Sequence, residues 1–357
     1  MKARMRVFAL SVESRKLGRH LFPLFWWMLV ILVFCNTPAG AQNLLVLVGS
    51  GSSVPAPLYN RWAQEYAKHN PRIQVRYVPI GTSEGIKQIS HGTGDFGAGE
   101  ARLTEKDRKD NGLIELPAVL IAIVPIYNIP DIREGLRLSG EVLAGIYLGE
   151  VKTWNAPSIA KLNPELSLPD LRIRVVNRPP GKGSNYVFTD FLSKASSKFR
   201  AQVGITASPK WPVGVPAERS SDMIDKVKAD SGTIGFVELE YAVKASVSAV
   251  AVLNPAGKYV KASAESISAA CQAVETPRWN NFAASLTNAP GADSFPITSF
   301  TWIYLPTASS DEARGRAMRD FLEWIYSDGQ QFASGEGYAE LPPELLASIR
   351  SKAKELR

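Results

Sequence analysis

The sequence predicts an α/β protein, and two observations support that prediction. Short apolar stretches rich in β-branched residues alternate with stretches whose apolar residues recur at helical spacing. The order of strand, Gly/Ser-rich loop and helix occurs three times, at residues 44–69, 73–90 and 171–192. This alternation is typical of sheets covered by helices, and a chain of 357 residues is long enough for two domains.

The first of these units predicts a site for an anion. Residues 44–48 have the composition of a buried strand, and residues 49–53 form a loop of small residues. From Pro55 onward, Leu58, Trp62 and Tyr66 lie on one face of a helix. The N-terminus of a helix presents free N–H groups and the positive end of its dipole, and both attract negative charge.

The other two units repeat this arrangement. In the second unit, strand 73–80 is followed by loop 81–85 and a short helix. In the third unit, strand 171–176 is followed by loop 177–183 and a helix that begins at Ser184. Between these units, the apolar residues 116–129 predict one or two buried strands that could cross between domains.

The remaining elements follow from caps and periodicity. Thr104 and Ser139 are expected to cap helices, because both precede helical patterns with an acidic first turn. A short strand 95–99 is expected to end at Glu100. The other predicted elements are helix 220–229, strands 232–237, 247–253 and 297–305, and helices 311–327 and 343–356.

The N-terminal residues predict a signal peptide over residues 1–41, with cleavage after Ala41 and a periplasmic mature protein. Six basic residues and one acid precede the apolar stretch 21–34, which is short for a membrane span. An uncleaved anchor and a lipoprotein anchored at Cys35 are weaker readings. The leader accounts for about +5 of the net charge of +7, so the remainder gives no support for nucleic-acid binding. The single mature cysteine, Cys271, is expected to be a core residue on a helix.

Residues 81–85 match the G-x-S-x-G pattern of a hydrolase nucleophile and lie between a strand and a helix. Such an enzyme needs a histidine base after its serine. The only later histidine is His91, which is eight residues from Ser83 in the same predicted helix. The sequence therefore predicts a protein that is not an enzyme, and a phosphatase is disfavoured for the same reason.

Nucleotide and metal sites have no support either. Position 54 is Val where a dinucleotide-binding loop needs its third Gly, and residues 181–184 lack the Ser/Thr that follows Lys in a phosphate-binding P-loop. The mature chain has two histidines, His69 and His91, and no pattern of metal ligands. No cofactor is expected.

The junctions around Ser53, Thr82 and Ser184, together with Arg178, are predicted to converge on an oxyanion. Glu100 would repel an anion unless the ligand brings a proton to share. Such a site admits hydrogen phosphate and rejects sulfate, which has no proton at neutral pH. The alternative is that Glu100 is a surface acid paired with Arg102.

Eight ordered stretches resemble the periplasmic phosphate-binding proteins that serve the high-affinity phosphate ABC transporter. The resemblance covers essentially the whole mature chain. The stretches are GSGSSVPAPLYNRWAQEY (49–66), IGTSEGIKQI (80–89), DFGAGEARL (95–103), IYLGEVKTWN (146–155), AKLNPEL (160–166), NRPPGKGSNYVFTDFL (177–192), GTIGFVELEYA (232–242) and FPITSFTWI (295–303).

The resemblance implies a two-lobed periplasmic-binding-protein fold of type II, with the ligand cleft between two α/β domains joined by crossing strands. Lobe I would comprise residues 42–120 and 246–357, and lobe II residues 121–245. The protein would be a monomer that captures inorganic phosphate and delivers it to membrane-bound ABC permease subunits for import. The alternative is a secreted phosphate- or oxyanion-binding protein for sensing, adhesion or scavenging, without a dedicated transporter.

The resemblance also implies which residues bind phosphate, and three positions depart from the family pattern. Glu100 stands where the family usually has Asp, Pro180 replaces an Asp that pairs with the arginine, and Lys182 replaces a Ser. We expect a more cationic site that favours the dianion or another tetrahedral oxyanion, unless Lys182 points to solvent. The implied phosphate-binding residues are Ser52, Ser53, Val54, Thr82, Glu100, Arg178, Lys182, Gly183 and Ser184.

Overall fold

The structure, a computed structural model, describes residues 44–274, 284–309 and 311–354. The predicted signal peptide and its cleavage site after Ala41 lie outside these residues. From Leu45 onward the described residues form one compact unit. None of the helices in this part of the chain is both long and apolar enough to cross a bilayer.

The elements of the described residues are numbered in chain order. The strands are β1 (Leu45–Gly51), β2 (Ile73–Pro79), β3 (Phe96–Gly99), β4 (Leu113–Asn128), β5 (Arg137–Leu138), β6 (Arg174–Asn177), β7 (Val215–Pro216), β8 (Thr233–Glu238), β9 (Ser248–Ala249), β10 (Ala251–Leu253), β11 (Tyr259–Val260) and β12 (Thr298–Pro306). The helices are α1 (Ala56–His69), α2 (Thr82–Ser90), α3 (Glu105–Lys109), α4 (Gly140–Tyr147), α5 (Pro157–Ala160), α6 (Gly183–Ala195), α7 (Ser197–Gln202), α8 (Ser220–Ala229), α9 (Leu239–Lys244), α10 (Ala264–Gln272), α11 (Glu312–Trp324) and α12 (Pro343–Ala353).

The large sheet has the strand order β2-β1-β3-β12-β4-β8-β6-β7, and β9 also pairs with β4. Strand β4 is shared by two halves of this sheet. Its residues 113–122 pair antiparallel with β12, and its residues 123–128 pair antiparallel with β8. We call β2, β1, β3 and β12 the first half, and β8, β6 and β7 the second half. The α/β class is confirmed, and the apolar stretch predicted to cross between domains is a single strand.

Each half of the sheet has its own aromatic cluster, and the cluster fixes the helix that follows a site loop. In the first half, Tyr59 of α1 packs against Trp62 and stacks on Tyr77 of β2, with ring centroids 5.2 and 4.7 Å away. In the second half, Phe188 of α6 stacks on Phe236 of β8 at 4.3 Å. Aromatic pairs add about 0.5–1.5 kcal/mol each beyond the burial of their area, so both helices are held firmly against the sheet.

Strand β1 is longer than predicted, because Gly49 and Gly51 belong to it and not to the loop. A Cβ atom on Gly49 would lie 2.0 Å from the ring of Phe96. A Cβ atom on Gly51 would lie 1.9 Å from the carbonyl oxygen of Ala98. The small residues therefore allow β1 to pair closely with β3, and the loop proper begins at Ser52.

Two further predictions are corrected. The predicted strand 247–253 is two short strands, since β9 pairs with β4 whereas β10 joins a separate sheet with the order β11-β10-β5. Helix α11 ends at Trp324 and continues as a π-helical turn, Ile325–Gly329. The carbonyl of Gly329 accepts the indole N–H of Trp62 at 2.7 Å, which ties this turn to α1.

Other predictions are confirmed. Thr104 and Ser139 cap α3 and α4 through side-chain hydrogen bonds, and Cys271 is a buried free thiol on α10. The limits of the two lobes stay a prediction. Strand β10 pairs with β5, and Thr287 donates to the carboxylate of Asp190 at 2.5 Å. These contacts tie part of the chain after residue 246 to residues of the predicted lobe II.

Candidate functional site

The loops that follow β1, β2 and β3 meet at one edge of the first half of the sheet. Strand β1 is parallel to both β2 and β3, so the carboxyl ends of the three strands lie side by side. The carbonyl of Ala98 accepts the N–H of Ser52 at 2.9 Å, and the carbonyl of Gly51 accepts the N–H of Gly81 at 2.7 Å. Ser52, Thr82 and Glu100 are therefore brought together by strand pairing.

Glu100 is buried, with 1% of its surface exposed. Its Oε2 accepts the hydroxyl of Thr82 at 3.0 Å, and the Ser52 side chain lies near enough to lower the pKa of the carboxyl group. Its Oε1 has no hydrogen-bond partner among the described residues. The alternative that Glu100 pairs with Arg102 is wrong, because Arg102 forms an ion pair with Glu115 at 2.6 Å.

Burial raises the pKa of Glu100 from its usual range to about 8. Hydrogen bonds from Ser52 and Thr82 lower this pKa, and the nearby charge of Glu238 raises it, but burial dominates. At neutral pH the ligand-free protein therefore holds Glu100 mostly as the neutral acid. A neutral carboxyl group has one O–H to donate and one carbonyl oxygen to accept with.

The loop before α6, which follows β6 in the second half of the sheet, touches this cluster. A Cβ atom on Gly183 would lie 1.5 Å from Oε2 of Glu100 and 2.5 Å from the hydroxyl of Thr82, so a side chain at this position would displace both groups. The N–H of Ser83 donates to the carbonyl of Gly181 at 3.3 Å. Two of the three predicted loops thus meet across the two halves of the sheet.

The N-terminus of α6 has no side-chain cap. Its N-cap residue, Lys182, makes no side-chain capping bond, so the first N–H groups of this 13-residue helix keep their positive character. The hydroxyl oxygen of Ser184 is buried and has no partner among the described residues. This hydroxyl and Oε1 of Glu100 therefore each keep hydrogen-bonding capacity that a ligand could use.

Arg178 follows β6 and is buried, with 2% of its surface exposed. Its guanidinium donates one long bond, 3.4 Å, to the carbonyl of Ala217. Arg178 forms no ion pair with a carboxylate of the described residues. Pro180, which stands where the family has an Asp, supplies no carboxylate. A buried cation without a counter-charge is costly. The natural completion of the arrangement is an anion.

The remaining predicted residues are placed less directly. The ammonium group of Lys182 lies 3.5 Å from the carboxylate of Glu218, so its charge is paired within the protein. Ser53 is half-buried. The N–H of Val54 already donates to the hydroxyl of Ser52 at 3.1 Å, and its carbonyl accepts from Tyr338 at 2.7 Å.

Sequence reasoning missed Glu238, at the end of β8. This carboxyl group is 2% exposed, accepts the hydroxyl of Ser220 at 2.6 Å, and leaves Oε1 without a partner among the described residues. Strand β8 runs parallel to β6, which leads to Arg178. The signal was present, because Glu238 ends a predicted strand just as Glu100 does.

The hydrolase reading finds no geometry to support it. His91 is the C-cap of the nine-residue helix α2, and its Nδ1 lies 2.6 Å from the carbonyl of Lys87. Ser83 is in the first turn of the same helix. The length of the helix, about 1.5 Å per residue, separates the two side chains.

Comparison with known proteins agrees with this geometry. A family model described as a PBP superfamily domain matches residues 36–329. The phosphate-binding protein PstS of Xylella fastidiosa is 35% identical over 319 residues, covering 88% of this chain and 87% of that protein. The phosphate-binding protein PstS of Pasteurella multocida is 35% identical over 328 residues, covering 92% of this chain and 95% of that protein.

A solved structure shares the fold, and this match confirms the predicted two-lobed type II fold. It is described as a phosphate ABC transporter substrate-binding protein from Clostridium perfringens with bound phosphate. The TM-score is 0.60 at 19% sequence identity, and the match covers 83% of this chain and all of that one.

Proposed function

This chain belongs to the family of PstS phosphate-binding proteins, and from that premise we propose that it captures inorganic phosphate and delivers it to an ABC-transporter permease for phosphate import. The observation that supports the proposal is that Glu100, Ser184 and Arg178 are all buried on loops that end strands or begin a helix of the two halves. Each is a buried polar group without the partner its chemistry requires. Together they offer a cation, a hydroxyl and a carboxyl group to one tetrahedral oxyanion.

Each side chain has a distinct role in this proposal. Arg178 supplies a bidentate fork to two ligand oxygens. Ser184 donates its hydroxyl, and the N–H groups at the start of α6 donate beside it. Ser52 and Thr82 hold the carboxyl group of Glu100 in place, and Glu100 shares one proton with the ligand.

Phosphate that contacts both halves of the sheet stabilises the closed arrangement of the two lobes. The permease would recognise that arrangement. We further propose a monomeric periplasmic protein without catalytic activity, cofactor or nucleic-acid partner. The leader sequence supports export, and the separation of Ser83 from His91 supports the absence of hydrolysis.

The raised pKa of Glu100 refines the expected selectivity. Below pH 8 the neutral carboxyl group can itself supply the shared proton, so sulfate can accept it as phosphate does. Above pH 8 Glu100 is ionised, and only a ligand with its own proton avoids repulsion. Hydrogen phosphate keeps its proton in this range, whereas sulfate has none.

Calorimetric titration with phosphate, arsenate and sulfate at pH 6 to 9.5 tests the proposal. We expect binding of phosphate and arsenate throughout, and a preference over sulfate that rises about tenfold for each pH unit above 8. In Glu100→Gln this preference should no longer depend on pH, because the amide does not titrate. Absence of heat with phosphate contradicts the proposed function, and a pH-independent preference in the wild type contradicts the role of Glu100.

A further inference from the structure

Tyr338 is a buried residue that contacts both halves of the sheet, and 1% of its surface is exposed. Its hydroxyl lies 2.7 Å from the carbonyl oxygen of Val54 and 2.9 Å from Oε2 of Glu240. Val54 belongs to the loop after β1 that carries Ser52. Glu240 lies in α9, which follows β8 in the second half.

The backbone around Tyr338 belongs to the first half. Ala339 forms two backbone hydrogen bonds with Leu120 of β4, at 3.0 and 3.1 Å. Leu120 lies in the part of β4 that pairs with β12. The contact between Tyr338 and Glu240 therefore connects a residue fixed on the first half to a residue fixed on the second.

Glu240 makes other close contacts with the stretch that carries Tyr338. Its Oε1 accepts the ammonium group of Lys244 at 2.7 Å, and Lys244 also lies 3.5 Å from Glu336, two residues before Tyr338. Between them, Gly337 has a positive φ of 81°, and a Cβ atom there would lie 2.8 Å from the Cα atom of Glu240. Backbone, ion pair and hydroxyl thus meet over a short stretch.

The hydrogen bonds of the Tyr338 hydroxyl are limited by its single proton. The hydroxyl of Tyr338 has one proton, but two acceptors lie within hydrogen-bond distance. Burial raises the pKa of Glu240, whereas Lys244 and the Tyr338 hydroxyl lower it. Lys244 occupies Oε1, so Oε2 remains as the acceptor for Tyr338. The proton is therefore shared between the loop carbonyl of Val54 and the carboxylate on the other half.

We propose that Tyr338 and Glu240 form a brace that holds the loop at residues 52–54 against the second half of the sheet and so positions it for the bound anion. Both are positioning residues, since the brace acts through the backbone of Val54. The inference rests on the proposed phosphate binding. It predicts that the brace raises affinity mainly by slowing the release of phosphate, because release requires the two halves to separate.

The test compares Tyr338→Phe, Glu240→Ala and the double variant with the wild type. Calorimetry gives the Kd for phosphate, stopped-flow measurement gives its dissociation rate, and thermal unfolding without phosphate gives stability. Each single variant should weaken binding about tenfold, mostly through faster release, as expected for one charge-assisted hydrogen bond. The Kd of the double variant for phosphate should be no higher than the higher of the two single-variant Kd values.

Two further variants separate the brace from general packing. Tyr326→Phe is the matched control, because the buried hydroxyl of Tyr326 has no partner among the described residues; its affinity should equal that of the wild type. Glu240→Gln should restore affinity to within about threefold, since its amide can donate to the Tyr338 oxygen and free the hydroxyl proton for Val54.

The outcomes distinguish the two levels of the argument. A wild type that gives no heat with phosphate overturns the proposed function itself. A wild type that binds, with Tyr338→Phe and Glu240→Ala both within twofold of it, overturns the brace even if their unfolding temperatures fall. Additive losses in the double variant also overturn it, because independent effects are not a shared contact. If Tyr338→Phe does not fold, Glu240→Ala alone decides.

Discussion

The anion site and the scaffold treat buried charge in opposite ways. In the scaffold, Glu115 accepts ion pairs from Arg102 and Arg108 at 2.6 and 3.2 Å, and its Oε2 accepts the N–H of Leu103 at 2.6 Å. At the site, Glu100 has hydroxyl partners and one oxygen without any partner among the described residues.

The same contrast separates two arginines. Arg314 pairs with Asp95 at 2.6 Å and also donates to the carbonyl of Val46. Arg178 is more deeply buried and makes one long bond to a carbonyl. Burial of a charge is costly without a partner, which is why the proposed function assigns Arg178 to the bound anion.

Replacing each arginine by alanine in turn is the most direct test of this comparison. Arg178→Ala should weaken phosphate binding about 1,000-fold, because a buried charge pair with the ligand is lost. Its ligand-free unfolding temperature should be unchanged or higher, since an uncompensated charge is removed. Calorimetry and thermal unfolding measure the two effects.

Arg314→Ala should show the reverse pattern. It leaves Asp95 without its cation, at the start of β3 and away from the Glu100 end, and should cost about 2 kcal/mol of unfolding free energy. Its phosphate affinity should equal that of the wild type. If the two variants lose affinity equally, the distinction between site and scaffold charges is contradicted.

The pH dependence of stability sharpens the comparison of the two acids. The folded protein holds the pKa of Glu100 near 8, whereas an unfolded chain has it near its ordinary value of about 4.3. Stability from the neutral form is fully present below the unfolded pKa and is lost as pH rises through the folded one. Between pH 5 and pH 7 this loss should be about 2–3 kcal/mol in the absence of phosphate.

Chemical denaturation across this pH range, in wild type and Glu100→Gln, isolates the effect as the difference between two curves. Glu115→Gln is the control. It removes a paired acid, so it should lower stability and leave the slope due to Glu100 in place. Identical slopes in wild type and Glu100→Gln would show that Glu100 is not held neutral.

The smallest expected effect concerns Lys182. Because its ammonium group pairs with the exposed carboxylate of Glu218, Lys182→Ala should change phosphate affinity by no more than about threefold. Calorimetry at low and high salt measures it, and Glu218→Ala should have an effect of similar size. A loss of tenfold or more would instead place the Lys182 charge on the ligand.

Much of the site could be predicted from local sequence. The Gly/Ser junctions before helices mark where backbone N–H groups are free, and Thr82 and Ser184 lie in the first turns of α2 and α6 as that pattern requires. Glu238 also follows a predicted strand, as Glu100 does, but that position by itself did not show a role. Its importance depends on its proximity to Glu100, which the pairing of distant strands creates.

The sequence by itself determined the elements and their order, because periodicity and caps act over a few residues. It placed α1, α2 and α6 after small-residue loops, and it predicted one or two buried strands over residues 116–129, where the structure has the single strand β4. Periodicity also predicted the buried face of α1, since Leu58, Trp62 and Tyr66 are buried as expected.

Only the tertiary structure decided which charges are paired. Arg102 pairs with Glu115, and Glu100 accepts the hydroxyl of Thr82 instead. Gly183 approaches Glu100 from a distant part of the chain. The pKa of a carboxyl group depends on everything within a few ångströms of it. Those neighbours come from several strands, so the raised pKa of Glu100 arises only when the chain folds.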